Sequence, residues 1–420
     1  MNAMTAKKPQ LGHNSFDVER VRADFPILSR KVYNRPLVFL DSAASAQKPQ
    51  AVIDAMDSLL TQDYANIHRG VYYLSQKSTE LFEQARATVA RFINASSADE
   101  IIFTRNATES INLVAATWGR KFLTQGDEVI LTELEHHANI VPWQMLRTEK
   151  GIELKIVPII ESGALDMDAF EKLIGPRTRL VAVSHMSNAL GTIQPVSKII
   201  KLAHAHNIPV LLDGCQSVVH MPIDVQALDC DFFVFSGHKL YGPTGIGVLY
   251  GKAAILDTMP PYMGGGDMIE RVTFAKTTFK KAPGRFEAGT PAIAEAVGLA
   301  AAIDYVEGLG RQAVADYEDG LLDYMTASLK RIPGLRIYGT AKDKAGLVSF
   351  TMDGIHAHDI GTVVDNIASV AIRVGHHCAQ PLMDRLGIAA TARASIGLYN
   401  TREEIDVLAS ALEKLREMFS

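Results

Sequence analysis

The sequence predicts an α/β protein with a mostly parallel sheet covered by helices on both faces, joined to a smaller α/β lobe. Three observations lead there. From residue 101 to about 250, short apolar runs alternate with stretches of helical spacing, the pattern of parallel strands joined by crossover helices. After about residue 295 the texture changes to long helices with shorter strands between them. At 420 residues the chain also exceeds what one simple core takes, so a large domain with a second lobe is the natural partition.

Taken in order, residues 1–16 are polar and have no apolar signal core, which marks a flexible leader. Residues 17–40 join the small lobe, residues 41–294 form the large domain, and residues 295–420 complete the small one. The sheet opens with Ile101-Ile102-Phe103-Thr104. Asn106 offers an N-cap to a helix over 107–122. Further strands are expected at 128–131, 153–157, 180–184, 210–213, 232–235 and 246–250, with helices over 138–150, 167–174 and 196–207 between them. The crossovers should be right-handed. Pro260-Pro261 and Gly264-Gly265-Gly266 mark a loop between the lobes. Helices over 294–307 and 310–331, strands over 347–352 and 371–374, and a last helix over 402–418 make up the second lobe. The run Gly242-Pro243-Thr244-Gly245-Ile246-Gly247 has the wrong glycine order for a dinucleotide fingerprint and leads into a strand.

The composition excludes several classes. With 47% hydrophobic and 21% charged residues, the chain reads as a soluble globular protein. A net charge of -5 gives no basic footprint for nucleic acid. No apolar run reaches the roughly 18 residues of a membrane span. Three cysteines cannot make a disulfide framework, which points to a reducing cytoplasm.

The chemistry gathers at strand ends. One apolar run ends in Asp213, and the next runs into Ser236-Gly237-His238-Lys239. Singly, such an Asp is a turn or helix cap and such a Lys a solvated charge. Together, in this order, they are what pyridoxal 5'-phosphate (PLP) requires. The lysine amine forms a Schiff base with the aldehyde, and the carboxylate keeps the pyridinium nitrogen protonated so that the ring accepts electrons. A phosphate needs backbone N–H donors at a helix N-terminus, plus hydroxyls. Asn106-Ala107-Thr108-Glu109 offers both, although a plain helix start would look the same. Ser236 and His238, flanking Lys239, are further phosphate ligands.

His136-His137 follows another strand. A ring there can stack on a cofactor and handle protons. The alternatives are two surface histidines or zinc, but zinc needs three or four convergent ligands, so no metal is expected. Cys378 lies in Arg373-Val374-Gly375-His376-His377-Cys378. A buried structural cysteine is the ordinary role, yet nearby Arg and His can lower a thiol pKa. Arg393 offers a fork for an amino-acid carboxylate, or else makes a surface salt bridge. Cys230 lies between two aspartates, which disfavour a thiolate, and Cys215 reads as a packed neighbour of Asp213.

Seven segments in order, from Leu40-Asp41-Ser42-Ala43-Ala44-Ser45 and Asn66-Ile67-His68-Arg69-Gly70 to the Cys378 loop, carry a resemblance over about residues 25–418. The others are Glu135-His136-His137-Ala138-Asn139, Asp213-Gly214-Cys215-Gln216, Ser236-Gly237-His238-Lys239 and Arg285-Phe286-Glu287-Ala288-Gly289-Thr290-Pro291. The chain resembles the class II cysteine desulfurases of the SUF iron–sulfur assembly system, which also have selenocysteine lyase activity and belong to the class V aminotransferase family. The resemblance implies the fold-type I PLP-dependent transferase architecture, with a seven-stranded, mostly parallel sheet, a small domain from both chain ends, and a homodimer. It implies that Lys239 carries the cofactor, Asp213 pairs with the ring nitrogen, His136 stacks on the ring and Gln216 bonds its hydroxyl oxygen. Ala107, Thr108, Ser236 and His238 would hold the phosphate, helped by Thr290 of the other subunit. Asn188, Arg393, Arg373, Ala43 and His68 would bind the substrate, L-cysteine or L-selenocysteine, and Cys378 would take its sulfur. The compact cysteine loop suits a sulfur-acceptor protein of the SUF system, SufE-like or SufU-like, that comes to the site. The segment Pro260 to Arg271 resembles the family's hairpin beside the partner's site. Cys215 stands where alanine is more usual.

Overall fold

The computed structural model describes residues 16–419. The expected leader therefore falls outside the described residues except for Phe16, whose ring packs on Tyr317 at 4.7 Å between centroids.

Seven strands form the main sheet: β1 (Ile101–Thr104), β2 (Glu128–Thr132), β3 (Glu153–Val157), β4 (Thr178–Ser184), β5 (Val210–Asp213), β6 (Phe232–Ser236) and β7 (Gly247–Gly251). Their order across the sheet is β1-β7-β6-β5-β4-β2-β3. Neighbours from β6 to β3 run parallel, and β7 runs antiparallel to both β6 and β1. The sheet is thus mixed and mostly parallel. Parallel strands buried on both faces need apolar residues at successive positions, which is why they read as unbroken runs. The alternation still sorts them. Val181, Val183, Leu212, Phe233 and Phe235 pack with helices Tyr73–Phe92, Val196–His204 and Ile293–Leu309. Leu180, Ala182, Leu211, Phe232 and Val234 pack on the other face with Ile111, Trp118 and Trp143.

The helix expected over 107–122 is continuous but changes pitch. An α segment, Ala107–Val114, passes into a π segment, Ala115–Gly119, and returns to α at Arg120–Phe122. Helices Gln50–Ser58 and Tyr73–Phe92 lie where no element was expected.

A hairpin of β8 (Ile269–Val272) and β9 (Thr277–Phe279) follows the main sheet and carries Phe274 fully exposed near its turn. It begins where the expected hairpin segment, 260–271, ends. The second sheet is antiparallel, in the order β10 (Leu335–Tyr338), β11 (Leu347–Met352), β13 (Thr391–Ser395), β12 (Arg373–Gly375). Helices Arg311–Lys330, Ala357–Ala368 and Arg402–Phe419 bury Leu321, Met325, Ile360, Val364, Leu408 and Leu412 against it, and Val38 and Leu40 join the same core. Val38–Phe39 pairs in parallel with Val370–Ala371. The chain therefore passes from the second core straight toward the first through residues 40–46. Among the described residues no helix is long and apolar enough to cross a membrane.

Candidate active site

The C-terminal ends of parallel strands are where an open α/β sheet leaves a crevice for ligands. Here the ends of β2, β4, β5 and β6 surround a cavity of about 260 Å³, lined by His136, Ser184, Asp213, Gln216, Ser236, His238 and Lys239. Ala43, Ala44, Asn106, Ala107, Thr108, Ala138, Met186, Asn188, Cys215 and Arg373 complete the wall.

Each side chain is placed by its element. Asp213 is the last residue of β5, and its Oδ1 accepts the Cys215 N–H at 3.0 Å. The chain then turns at Gly214, where a Cβ would lie 2.0 Å from the Phe233 ring. Only glycine lets β5 leave the sheet so close to β6. Lys239 ends the short turn Gly237–Lys239 after β6. At the opposite wall, Asn106 caps the helix by accepting the Glu109 N–H, and the Ala107 N–H donates to Ser236 Oγ at 2.9 Å. Gly247 allows this, since a Cβ there would meet the Asn106 Cα at 2.4 Å. A helix N-terminus, two hydroxyls and His238 thus face one end of the cavity, the donor set a phosphate takes.

The electrostatics keep several groups neutral. His136 accepts the Ala138 N–H at its Nδ1, 3.1 Å away, and burial together with the Lys239 charge holds its pKa down to about 4. Burial, with help from Lys239 and Lys48, holds His238 at about 4 as well. Burial and then the Asp213 charge push the Cys215 thiol well up, so it stays protonated. Glu135, next to His136, is fully buried and pushed up to about 7 by that burial, against hydrogen bonds from Thr132, Asn139 and Ser184.

These shifts predict a pH dependence of folding. His136, His185 and His238 near 4, and His377 near 3, all lie below the ordinary 6.5. In that window the unfolded chain binds the extra protons, so stability is lost as pH falls, by about 1.4 kcal/mol per pH unit for each histidine fully engaged. Glu135 has the opposite sign. Its raised pKa stabilises the fold below 4.5, and that contribution is lost as pH rises through about 7. The four histidines outweigh Glu135 and the lesser upward shifts of Asp41, His68, Asp319 and Glu404. Thermal unfolding of the cofactor-free protein should show Tm falling from pH 7 to pH 4, and a flat or rising Tm would contradict these assignments.

Across the cavity mouth, Arg373 starts β12, and its Nη2 lies 3.3 Å from Cys378 Sγ. The cysteine loop is held from several sides. The Cys378 N–H donates to His376 Nδ1, the His137 N–H donates to the Cys378 carbonyl, and Asn188 Nδ2 donates to the His377 carbonyl. Arg393 lies on β13 and is completely buried, donating to the Asn188 carbonyl and to Asp41. The surface salt bridge considered for it is therefore excluded. Burial can be tolerated there because both partners are themselves fixed.

Cys378 and Arg393 do not line the cavity themselves but touch Arg373 and Asn188, which do, and two further expected residues lie elsewhere. Thr290 lines a separate cavity of about 110 Å³ with Asn66, Arg69 and Asp267. His68 bonds Glu83 at 3.0 Å and Asp267 at 3.4 Å. Glu135, Asp41 and Ser184 escaped the sequence reading of the site, since nothing in their local pattern separates them from caps and strand ends.

A carboxylate at a strand end, a lysine in the cavity and a helix N-terminus beside Ser236 fit PLP at its nitrogen, aldehyde and phosphate. Comparison with known proteins agrees. The aminotransferase class-V family pattern matches residues 38–408. Cysteine desulfurases of Synechococcus elongatus and Serratia proteamaculans are each 51% identical over 405 residues, 96% of this chain. The chain spans 64% of the Synechococcus protein's length and 99% of the Serratia protein's. The cysteine desulfurase CsdA of Escherichia coli, in an S-sulfonic acid form, superposes with a TM-score of 0.90 at 39% identity, over 97% of this chain and 100% of that one. The apo cysteine desulfurase of Thermococcus onnurineus gives 0.91 at 40%, over 95% and 98%. A C-DES variant with glycine covalently linked to its PLP cofactor shares the fold, with a TM-score of 0.80 at 24% identity. With the family pattern covering most of the sequence and half of its residues shared with the Serratia protein over nearly that protein's whole length, the chain belongs to the PLP-dependent class-V aminotransferase family, in its cysteine desulfurase branch.

Proposed function

We propose that this protein converts L-cysteine to L-alanine and passes the sulfur to Cys378. The observation that carries this reading is the Cys378 thiol, 3.3 Å from an arginine that lines the Lys239 cavity. PLP, when bound, supplies an aldehyde for the substrate amine and a ring that holds the electrons left at Cα. Asp213 would face the ring nitrogen, Gln216 the ring hydroxyl and His136 the ring face. Ala107, Thr108, Ser236 and His238 would hold the phosphate. Lys239 would hold the cofactor and, once freed, would move the Cα proton. Arg393 and Asn188, with Arg373 and Ala43, hold the substrate at its carboxylate end. The Cys378 thiolate attacks the substrate sulfur, so an S–S bond forms as the Cβ–S bond breaks. The electron pair of that bond stays with the carbon, which is protonated to the methyl of alanine, and Cys378 keeps a persulfide.

His68 and Thr290 stand outside this cavity. That placement supports a homodimer in which they serve the neighbouring subunit's site. The shared core of Val38, Leu40 and the 321–415 segments supports a small domain drawn from both chain ends, residues 17–40 and 295–420, beside a large PLP domain of 41–294, although Val21, Phe25, Leu28 and helix Ile293–Leu309 pack in the main-sheet core. The short reach of the Cys378 loop supports delivery to an acceptor protein of SufE-like or SufU-like kind, for iron–sulfur cluster assembly in the cytoplasm. Selenocysteine, with its better leaving group, fits the same site. The test is alanine released from L-cysteine by the purified yellow protein with a reductant present. Alanine with matching sulfide supports the reading, and no alanine on addition of any SUF-type acceptor refutes it.

A further inference from the structure

Arg393 is prepared for an anion but not fully spent. Its Nη1 donates to the Asn188 carbonyl at 2.8 Å and its Nη2 to Asp41 Oδ1 at 3.1 Å, while Nε has no hydrogen-bond partner. A buried guanidinium with an unused N–H has donor capacity left for a carboxylate. One of its other donors is held by a carboxylate of the protein itself. The Asp41 side chain is 26% exposed while that of Arg393 is 0% exposed, so the resident anion stands on the open side. Burial pushes the Asp41 carboxyl up, and the charges of Arg393, Arg373 and Lys239 oppose that shift and favour its anion. It cannot drift away. Its backbone bridges Ser395 on β13, and the Ser395 N–H donates to the Leu40 carbonyl at 2.8 Å. Two residues on, the Ala43 N–H donates to Ser395 Oγ at 3.0 Å, and Ala43 lines the cavity.

We infer that Asp41 is a specificity-determining residue of the substrate site, a resident anion that shares Arg393 with the incoming α-carboxylate and sets how tightly it is held. This rests on the reading of Arg393 as the substrate's fork. Without Asp41, the substrate end would present the positive charges of Arg393, Arg373 and Lys239 to any small carboxylate. With it, a second carboxylate on the same guanidinium meets like charge at close range, which weakens its binding. Substrate and product then both leave the site readily, and simple anions are disfavoured.

The test uses propionate, a carboxylate with no amino group, titrated calorimetrically against the holoenzyme. Asp41→Asn keeps the shape and the acceptor oxygen but removes the charge, and should tighten propionate about tenfold. The KM for cysteine should fall with it. Unchanged or weaker propionate binding in Asp41→Asn would overturn the inference, because a merely structural role weakens binding. If that variant does not fold, Asp41→Ser carries the same expectation. Arg393→Ala separates the two ideas. Its loss of propionate binding supports the fork, and wild-type binding in it removes the fork and this inference together. Loss in Arg393→Ala with no gain in Asp41→Asn removes only the role of Asp41.

Discussion

Lys239→Ala is expected to lower alanine production from L-cysteine by at least about a thousandfold, the loss of both the cofactor's covalent anchor and the group that moves the Cα proton. The variant should still fold. The turn that carries Lys239 is made by backbone bonds, from the Gly237 N–H to the Ile246 carbonyl and from the Leu240 N–H to the Gly237 carbonyl. Neither depends on the side chain. The lysine is only half-buried in the cavity wall, so its truncation removes no core contact of consequence. Two readings separate chemistry from stability. Borohydride should fix the cofactor to the wild-type polypeptide and not to the variant, and the two should share one thermal transition within a few degrees in the cofactor-free form. Wild-type alanine production in the variant would remove Lys239 from the mechanism. A collapse of the thermal transition would show that the turn was misjudged.

Asp213 and Lys239 were legible because of where they stand. A strand buried on both faces shows as an apolar run, and the polar residues within a few positions of its end reach the crevice. His136 follows β2 in the same way. The residues that the sequence hid are those whose setting is made by distant parts of the chain. β13 has the sequence Thr391-Ala392-Arg393-Ala394-Ser395. Only two small alanines, Ala392 and Ala394, face the core, too weak a pattern to mark a core strand, and the arginine at its centre is buried only because Asp41, 352 residues away, and Asn188 meet it. Helix Tyr73–Phe92 carries many polar residues, and its buried Arg86 pairs with Glu287 at 2.7 Å, a contact 201 residues distant. Such pairings leave no local period to read. The placement of Thr290 and His68 away from the cavity is a further case, because their assignment to the site came with the resemblance and not from their own surroundings.

Cys378→Ser should lower desulfuration of L-cysteine at least about a hundredfold while lowering deselenation of L-selenocysteine far less. The loop is built to present this side chain. His377 and Cys378 both have left-handed backbones, with φ of 52° and 57°, each costing roughly 1 kcal/mol or more in a residue that bears a Cβ. The fold offsets that cost with bonds to both carbonyls, one from Asn188 and one from the His137 N–H, and with the His377 ring bonded to Thr391 at 2.8 Å. Serine fits the same backbone and leaves those bonds in place, so the substitution removes the sulfur nucleophile and little else. The other two thiols cannot replace it. Cys215 and Cys230 are both pushed up by burial and neighbouring aspartates, which holds them protonated, and a thiol is a poor nucleophile beside a thiolate. Cys378 has the guanidinium of Arg373 next to it instead. Selenium leaves carbon more easily than sulfur does, so selenocysteine needs the attacking thiolate less. Parallel assays on the two substrates decide the matter, together with mass spectrometry of the enzyme after one turnover without reductant. One added sulfur on the Cys378 peptide and an unequal loss are expected. Equal loss on both substrates, or the added sulfur on Cys215, would move the nucleophile elsewhere.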